Sequence, residues 1–244
     1  MDWRFAFRGL KAKYKSQRIE IYALTKELRR DHIAIDVGAN KGSYLWALSK
    51  AVPDGKVVAF EPQPVLSEYL RQACAKSGLK NVIIENQGCS EKSGTLPLAI
   101  PGTGISSPGA SFEQTVAARE PCRFITVSTV SIDDYFSGES RQIGALKIDV
   151  EGHELSVLKG AQGLITHHKP TIVCECEERH LTSGSVSDVI EYVQSMGYAS
   201  FFCDGAELRP ACQFIPSVHQ RQNGERFWDA KDYYNNFVFR PLAT

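Results

Sequence analysis

The sequence predicts an α/β fold in which a mostly parallel sheet carries helices on both faces, and three observations predict it. From residue 32 onward, short runs rich in β-branched residues alternate with stretches of helical periodicity, a rhythm that builds a parallel sheet through right-handed crossovers. A glycine-bearing turn, Asp36-Val-Gly-Ala-Asn-Lys-Gly-Ser43, follows the first such run and opens the first helical stretch, the place where these sheets cradle nucleotide-like ligands. The composition, 43% hydrophobic and 23% charged over 244 residues, excludes a disordered tail, a collagen-like repeat or a coiled coil.

Residues 1–30 hold nine Lys or Arg against three acids and read as a basic helical extension, with an amphipathic helix over 11–30 that sets Tyr14, Ile21, Leu24 and Leu28 on one side. We read it as a solvated face covering the main domain rather than a membrane-surface or nucleic-acid element, because the stripe is short and Glu20 and Glu27 interrupt the charge. Residues 31–244 then form the principal domain. Its seven strands are expected over 32–37 (HIAIDV), 56–60 (KVVAF), 82–85, 145–149 (ALKID), 171–175 (TIVCE), 198–203 and 236–240 (NFVFR). Helices are expected over 42–51, 65–77, 153–159 and 186–196. Two long stretches break the rhythm, 101–121, rich in Pro and Gly, and 211–232, polar and aromatic. Loops of this length in a compact α/β domain are lids, specificity elements or disorder.

Twenty-eight basic and 28 acidic residues cancel, so no overall basic field suggests a nucleic-acid partner. No apolar run approaches a membrane span and the first residues lack a signal-peptide core, which places the chain in the cytoplasm. Its seven cysteines are scattered without a CxxC pair and read as small hydrophobes; Cys174 and Cys176 share a strand face but lack the second ligand pair of a zinc site.

The glycine turn discriminates among ligands. A P-loop needs four residues between its glycines followed by Lys-Ser/Thr, whereas Gly38 and Gly42 have three residues between them and Lys41 comes early. A dinucleotide site needs glycine where Asn40 stands, and Asp36 would repel a pyrophosphate by on the order of several kcal/mol. That disfavours an NAD-using oxidoreductase. S-adenosylmethionine reverses the sign, because its ammonium and its sulfonium favour a carboxylate at the strand end. Glu61, 23 residues after Gly38, ends the second strand where an acid accepts from ribose hydroxyls, in bonds of roughly 1.5–3 kcal/mol each. Pro62 and Pro64 stiffen its turn.

In the second half, Lys147-Ile-Asp-Val-Glu-Gly-His-Glu154 crosses from strand to helix with Gly152 at the turn. Asp149 and, on the next strand about 4.8 Å away, Glu175 point at one substrate proton or at one hard cation such as magnesium. Methyl transfer to an alcohol needs such a base or metal, and His153 is the most natural base. Glu151 joins this catalytic set or, like Glu154, complements the helix dipole. Glu177, Glu178 and His180 read as a solvated loop. Phe214, Phe227, Trp228, Tyr233 and Tyr234 offer stacking faces to a sugar ring or pack in a core.

In this order the segments IDVGANKG (35–42), FEPQP (60–64), GCSEKSGT (88–95), TVSIDDYF (129–136), LKIDVEGHE (146–154), LKGA (158–161), KPTIVCE (169–175) and NNFVF (235–239) resemble the FkbM-type methyltransferase family. The resemblance implies the class I methyltransferase (Rossmann-like) fold, a seven-strand sheet with its last strand antiparallel. It also implies S-adenosylmethionine as cofactor and transfer to oxygen on a sugar or natural-product hydroxyl. Carried over by residue, Asp36, Gly38, Asn40 and Gly42, with Ala39 and Ser43 in the same turn, hold the methionine end, while Glu61 beside Pro62 holds the ribose. Gly88, Cys89 and Ser90 border the adenine, and Glu91 stands where relatives carry Asp. The alternative is a cofactor-binding module of this fold without catalysis.

Overall fold

The computed structural model describes residues 2–119 and 121–242. The chain opens with α1 (Trp3–Lys11) and α2 (Arg18–Lys26), separated by a π-helical turn over Ala12–Ser16. The sequence predicts a single helix here; the break falls at Gln17, whose φ of −125° leaves the helical region. Asp2 starts α1 early by accepting from the Phe5 N–H at 3.1 Å, the cap an orphaned first-turn donor requires. Phe5, Ile21 and Leu24 lie buried against the sheet, whereas Tyr14, expected beside them, is exposed.

The strands β1 (Ile33–Val37), β2 (Lys56–Phe60) and β3 (Val82–Glu85) alternate with α3 (Leu45–Ala51) and α4 (Pro64–Lys76). A second unit, β4 (Gly88–Cys89), β5 (Gly94–Pro101), α5 (Gln114–Ala117) and β6 (Cys122–Val130), precedes α6 (Ile132–Tyr135). The main sheet resumes with β7 (Ile143–Ile148), α7 (Glu154–Lys159), α8 (Gln162–His168), β8 (Thr171–Glu175), α9 (Val186–Ser195) and β9 (Tyr198–Cys203). It ends with β10 (Leu208–Pro210), α10 (Pro216–His219) and β11 (Asn236–Pro241).

The main sheet has the order β10-β9-β11-β8-β7-β1-β2-β3. Strands β1, β2, β3, β7 and β8 pair in parallel, and β11 runs antiparallel between β8 and β9. All seven expected strands are present, and the last is antiparallel. An eighth, β10, pairs with β9 at the edge. The sequence reading missed the separate β4-β6-β5 sheet, although CRFITVSTV over β6 has β-branched character, because that hairpin stands outside the strand-helix rhythm. It also missed α8.

Period-2 alternation divides the core. Ile33, Ile35 and Val37 join Leu146 and Ile148 under α7, α8 and α9, while Ala34 joins Ala145 and Val173 under α1–α4. Asp36 and Lys147 have the parity of that second face and are register partners across β1 and β7. The chain direction across the sheet reverses between β1 and β7, which opens a crevice at their carboxyl ends.

Candidate active site

At that crevice lies an open cleft with about 770 Å³ of empty space, the mouth to solvent included. Its cofactor-side wall comes from the glycine turn. Gly38 adopts φ +74°, and a Cβ there would lie 1.8 Å from the Asp149 carbonyl oxygen. The glycine is therefore required by the contact between the β1 and β7 turns as much as by any ligand. Gly42, also at positive φ, abuts Phe5 of α1. Asn40 sits at φ 47°, and its N–H donates to Glu61 Oε2 at 2.8 Å. The other oxygen, Glu61 Oε1, accepts from the Gln63 N–H at 2.9 Å. Burial pushes the Glu61 carboxyl up, and these two backbone donors oppose the shift. Each oxygen keeps a second acceptor position.

Gly38, Asn40, Glu61, Pro62, Gly88 and Cys89 line the cleft. Ala39, Gly42, Ser43 and Ser90 do not: Ala39 donates to the Phe60 carbonyl beneath the turn, Gly42 faces α1, and Ser43 lies further along toward α3. Ser90 Oγ is 2.9 Å from His153 Nε2. The sequence reading missed Gln63, whose amide clamps the Ser107 backbone in both directions (3.0 and 2.9 Å). That clamp brings Pro108, Ala110, Ser111 and Phe112 of the expected lid onto the cleft.

Asp36 departs from expectation. It is fully buried and absent from the lining, and neither carboxylate oxygen accepts a hydrogen bond. Its Oδ1 lies 3.4 Å from Lys147 Nζ, because the parity and register of β1 and β7 turn both side chains under the helices. Desolvation raises the Asp36 carboxyl, with Lys147 opposing the rise. Lys147 also donates to the Gly38 carbonyl at 3.1 Å and to Asp149 Oδ2 at 3.2 Å. Among the described residues, the carboxylates that face the cleft are Glu61, Asp149, Glu151 and Glu175, and no Lys or Arg lines it. Burial, then Asp149, Glu151 and Glu177, push the Glu175 carboxyl far above its ordinary range. Asn235 Nδ2 donates to its Oε1 at 2.7 Å.

His153 is brought to the site's border but not into it. Its Nδ1 is 2.8 Å from Glu113 Oε1, its Nε2 is taken by Ser90, and Phe112 packs edge-on at 5.1 Å. Both ring nitrogens are engaged in tying α5 to β4, and His153 is not among the residues that line the cleft. Glu151, at φ 55°, pairs with His180 Nδ1 at 2.8 Å. Glu154 is buried and accepts from the Gly152 N–H at 2.9 Å, and desolvation pushes its carboxyl up to about 8. The 177–180 segment is not a solvated loop: Glu177 and His180 are buried, and Glu177 accepts from Arg179 and from the Tyr233 hydroxyl at 2.6 Å. Phe214 packs in the core against Phe202 and Phe237, whereas Trp228 stays half-exposed over Arg179. Among the described residues no group of three or more His, Cys, Asp or Glu side chains is arranged to hold a metal ion. Cys174 and Cys176 are buried in the core.

A second cavity adjoins this wall. It is lined by Lys15, Arg18, Lys231 and Asn235 with the buried Glu20, so the Glu175–Asn235 hydrogen bond joins the linings of the two spaces.

The profile of the FkbM methyltransferase domain matches residues 36–200, from the carboxylate of β1 into β9. The chain belongs to the FkbM methyltransferase family. Among curated relatives, this FkbM-family chain is 30% identical to methyltransferase sdnD of Sordaria araneosa, over 60% of this chain and 71% of that protein. It is 33% identical to the hexuronic acid methyltransferase AglP of Haloferax volcanii, over 57% of this chain and 54% of that protein. The crystal structure of an FkbM methyltransferase from Methylobacillus flagellatus superposes with a TM-score of 0.55 at 17% identity, covering 88% of this chain and 44% of that one. The FkbM-family chain thus spans about half the length of two of these three relatives, and its sheet is that of the class I methyltransferase fold.

Proposed function

We propose that this chain is an S-adenosylmethionine-dependent O-methyltransferase whose acceptor is a hydroxyl of a sugar or natural-product small molecule. One observation carries the reading: among the described residues, four carboxyl side chains and no cationic side chain line the cleft beside the glycine turn, a lining suited to a cationic cofactor and hostile to phosphates. The cofactor would supply a methyl group activated by positively charged sulfur. Glu61, held by two backbone donors, has acceptor positions left for ribose hydroxyls. The Gly38–Asn40 turn suits the methionine ammonium and carboxylate, and Gly88, Cys89 and Leu98 offer an apolar border to adenine. Asp36 acts through Lys147 as a positioning residue.

For deprotonation of the acceptor, Asp149 is the group we favour, since it faces the cleft with Lys147 beside it. Burial and the neighbouring carboxylates push the Glu175 carboxyl up, and the role we assign it is a hydrogen bond to the acceptor rather than proton abstraction. The name of the Haloferax relative and the cations Lys15, Arg18 and Lys231 around the adjoining cavity together support a carboxylate-bearing sugar as acceptor, rather than nucleic acid. Calorimetry with S-adenosylmethionine should show binding that Glu61→Ala weakens by roughly 100-fold, from two lost charge-assisted bonds. Conversion to S-adenosylhomocysteine should rise with a uronic acid more than with the matching neutral sugar. Binding without turnover across such acceptors would favour the non-catalytic module, and undiminished affinity in Glu61→Ala would remove the cofactor assignment.

A further inference from the structure

We propose that α1 is an interfacial helix that docks this chain onto an anionic membrane surface. Trp3, Phe7 and Leu10 follow one another on α1 at spacings of four and three residues, the repeat of one helix face, and Tyr14 follows on the π-helical turn. All four are exposed, at 69%, 64%, 44% and 68%. The opposite face, Phe5, Ala6, Gly9 and Ala12, is buried against the domain, so the helix is already packed and its second apolar stripe has nothing against it among the described residues.

The stripe is bordered by cations. Arg4 sits 5.3 Å over the Trp3 ring and Lys13 5.6 Å over Tyr14, with Lys11 also exposed beside them. Among the described residues Arg4, Lys11 and Lys13 join no ion pair. The first 18 residues carry six Lys or Arg against Asp2, in a chain of zero net charge. Aromatic and aliphatic side chains rimmed by Lys and Arg are the composition of a helix lying in the headgroup plane. A second copy fits worse, because a two-fold contact sets the same patch against itself and would oppose Arg4, Lys11 and Lys13 to their own counterparts. No helix among the described residues is long and apolar enough to cross a bilayer, so the attachment is peripheral. The helix is fixed to the cofactor-side turn: Arg8 Nη1 donates to the Lys41 carbonyl at 2.9 Å and to the Tyr69 hydroxyl at 3.2 Å. Docking through α1 would therefore hold the cleft in a set orientation to the surface.

Co-sedimentation of the full chain with phosphatidylcholine vesicles, with and without phosphatidylglycerol, tests this. Binding is expected on the anionic vesicles and should be reversed by salt. The double variant Phe7→Glu/Leu10→Glu should lose roughly tenfold or more in partitioning, and Lys11→Gln/Lys13→Gln about fivefold per charge, with unchanged thermal melts because all four sites face solvent. Trp3→Ser gives an independent reading should the double variant fail to fold. Absence of binding by the wild-type chain, or undiminished binding by these variants, would overturn the proposal. A concentration-dependent dimer that Phe7→Glu/Leu10→Glu abolishes, without vesicle binding, would overturn it in favour of a second copy.

Discussion

The two turns that meet at the cleft, residues 36–43 after β1 and 149–153 after β7, share a backbone device and differ in how their charges are used. Each places a non-glycine residue in the left-handed region, Asn40 at φ 47° and Glu151 at φ 55°, near a glycine at positive φ. At the first turn backbone hydrogen bonds set the geometry: Glu61 accepts from Asn40 and Gln63 and keeps one acceptor position on each oxygen. In the second, Asp149 shares the buried ammonium of Lys147 with Asp36, which reaches it from the end of β1, and burial with the neighbouring carboxylates pushes the Glu175 carboxyl up. The first turn is organised by hydrogen-bond geometry and the second by competition for charge.

The largest expected effect comes from removing the shared cation. Lys147→Met leaves Asp36 buried and unpaired, a change that costs about 3–5 kcal/mol, read as a lowered urea midpoint. Catalysis should then split the second turn's carboxylates. Asp149→Asn should lower kcat by roughly 10²–10⁴-fold, the range of a general base, whereas Glu175→Gln should cost far less because an amide keeps the hydrogen bond assigned to Glu175; equal losses would collapse the distinction.

Glu154 extends the comparison to stability. Its carboxyl, at about 8 in the fold against an ordinary 4.5, keeps its proton where the unfolded chain has lost it. The folded state therefore binds more protons between those values, and stability should fall as pH rises through that window, by on the order of a few kcal/mol. Glu154→Gln should flatten this slope in denaturation midpoints measured across pH 4.5–8. The smallest effect on turnover is expected for His153→Ala. Its ring ties Ser90 to Glu113, so kcat should fall well short of the ~10²-fold minimum of a lost base while the melting temperature drops.

The alternation of strands and helices, the glycine turn and the strand-end acid Glu61 are local patterns, and the sequence by itself determined them: side-chain parity, turn chemistry and residue spacing do not depend on distant partners. Asp149 and Glu175 as a facing pair were likewise legible from two consecutive parallel strands. What only the tertiary structure decided was which carboxylate meets the cleft. The β1–β7 register joins Asp36 to Lys147, 111 residues apart in the chain, and turns that acid inward, while Ser90 and Glu113 take both nitrogens of His153. Such pairings depend on how separate segments stack, and a buried charge settles against whatever counter-charge packing brings to it.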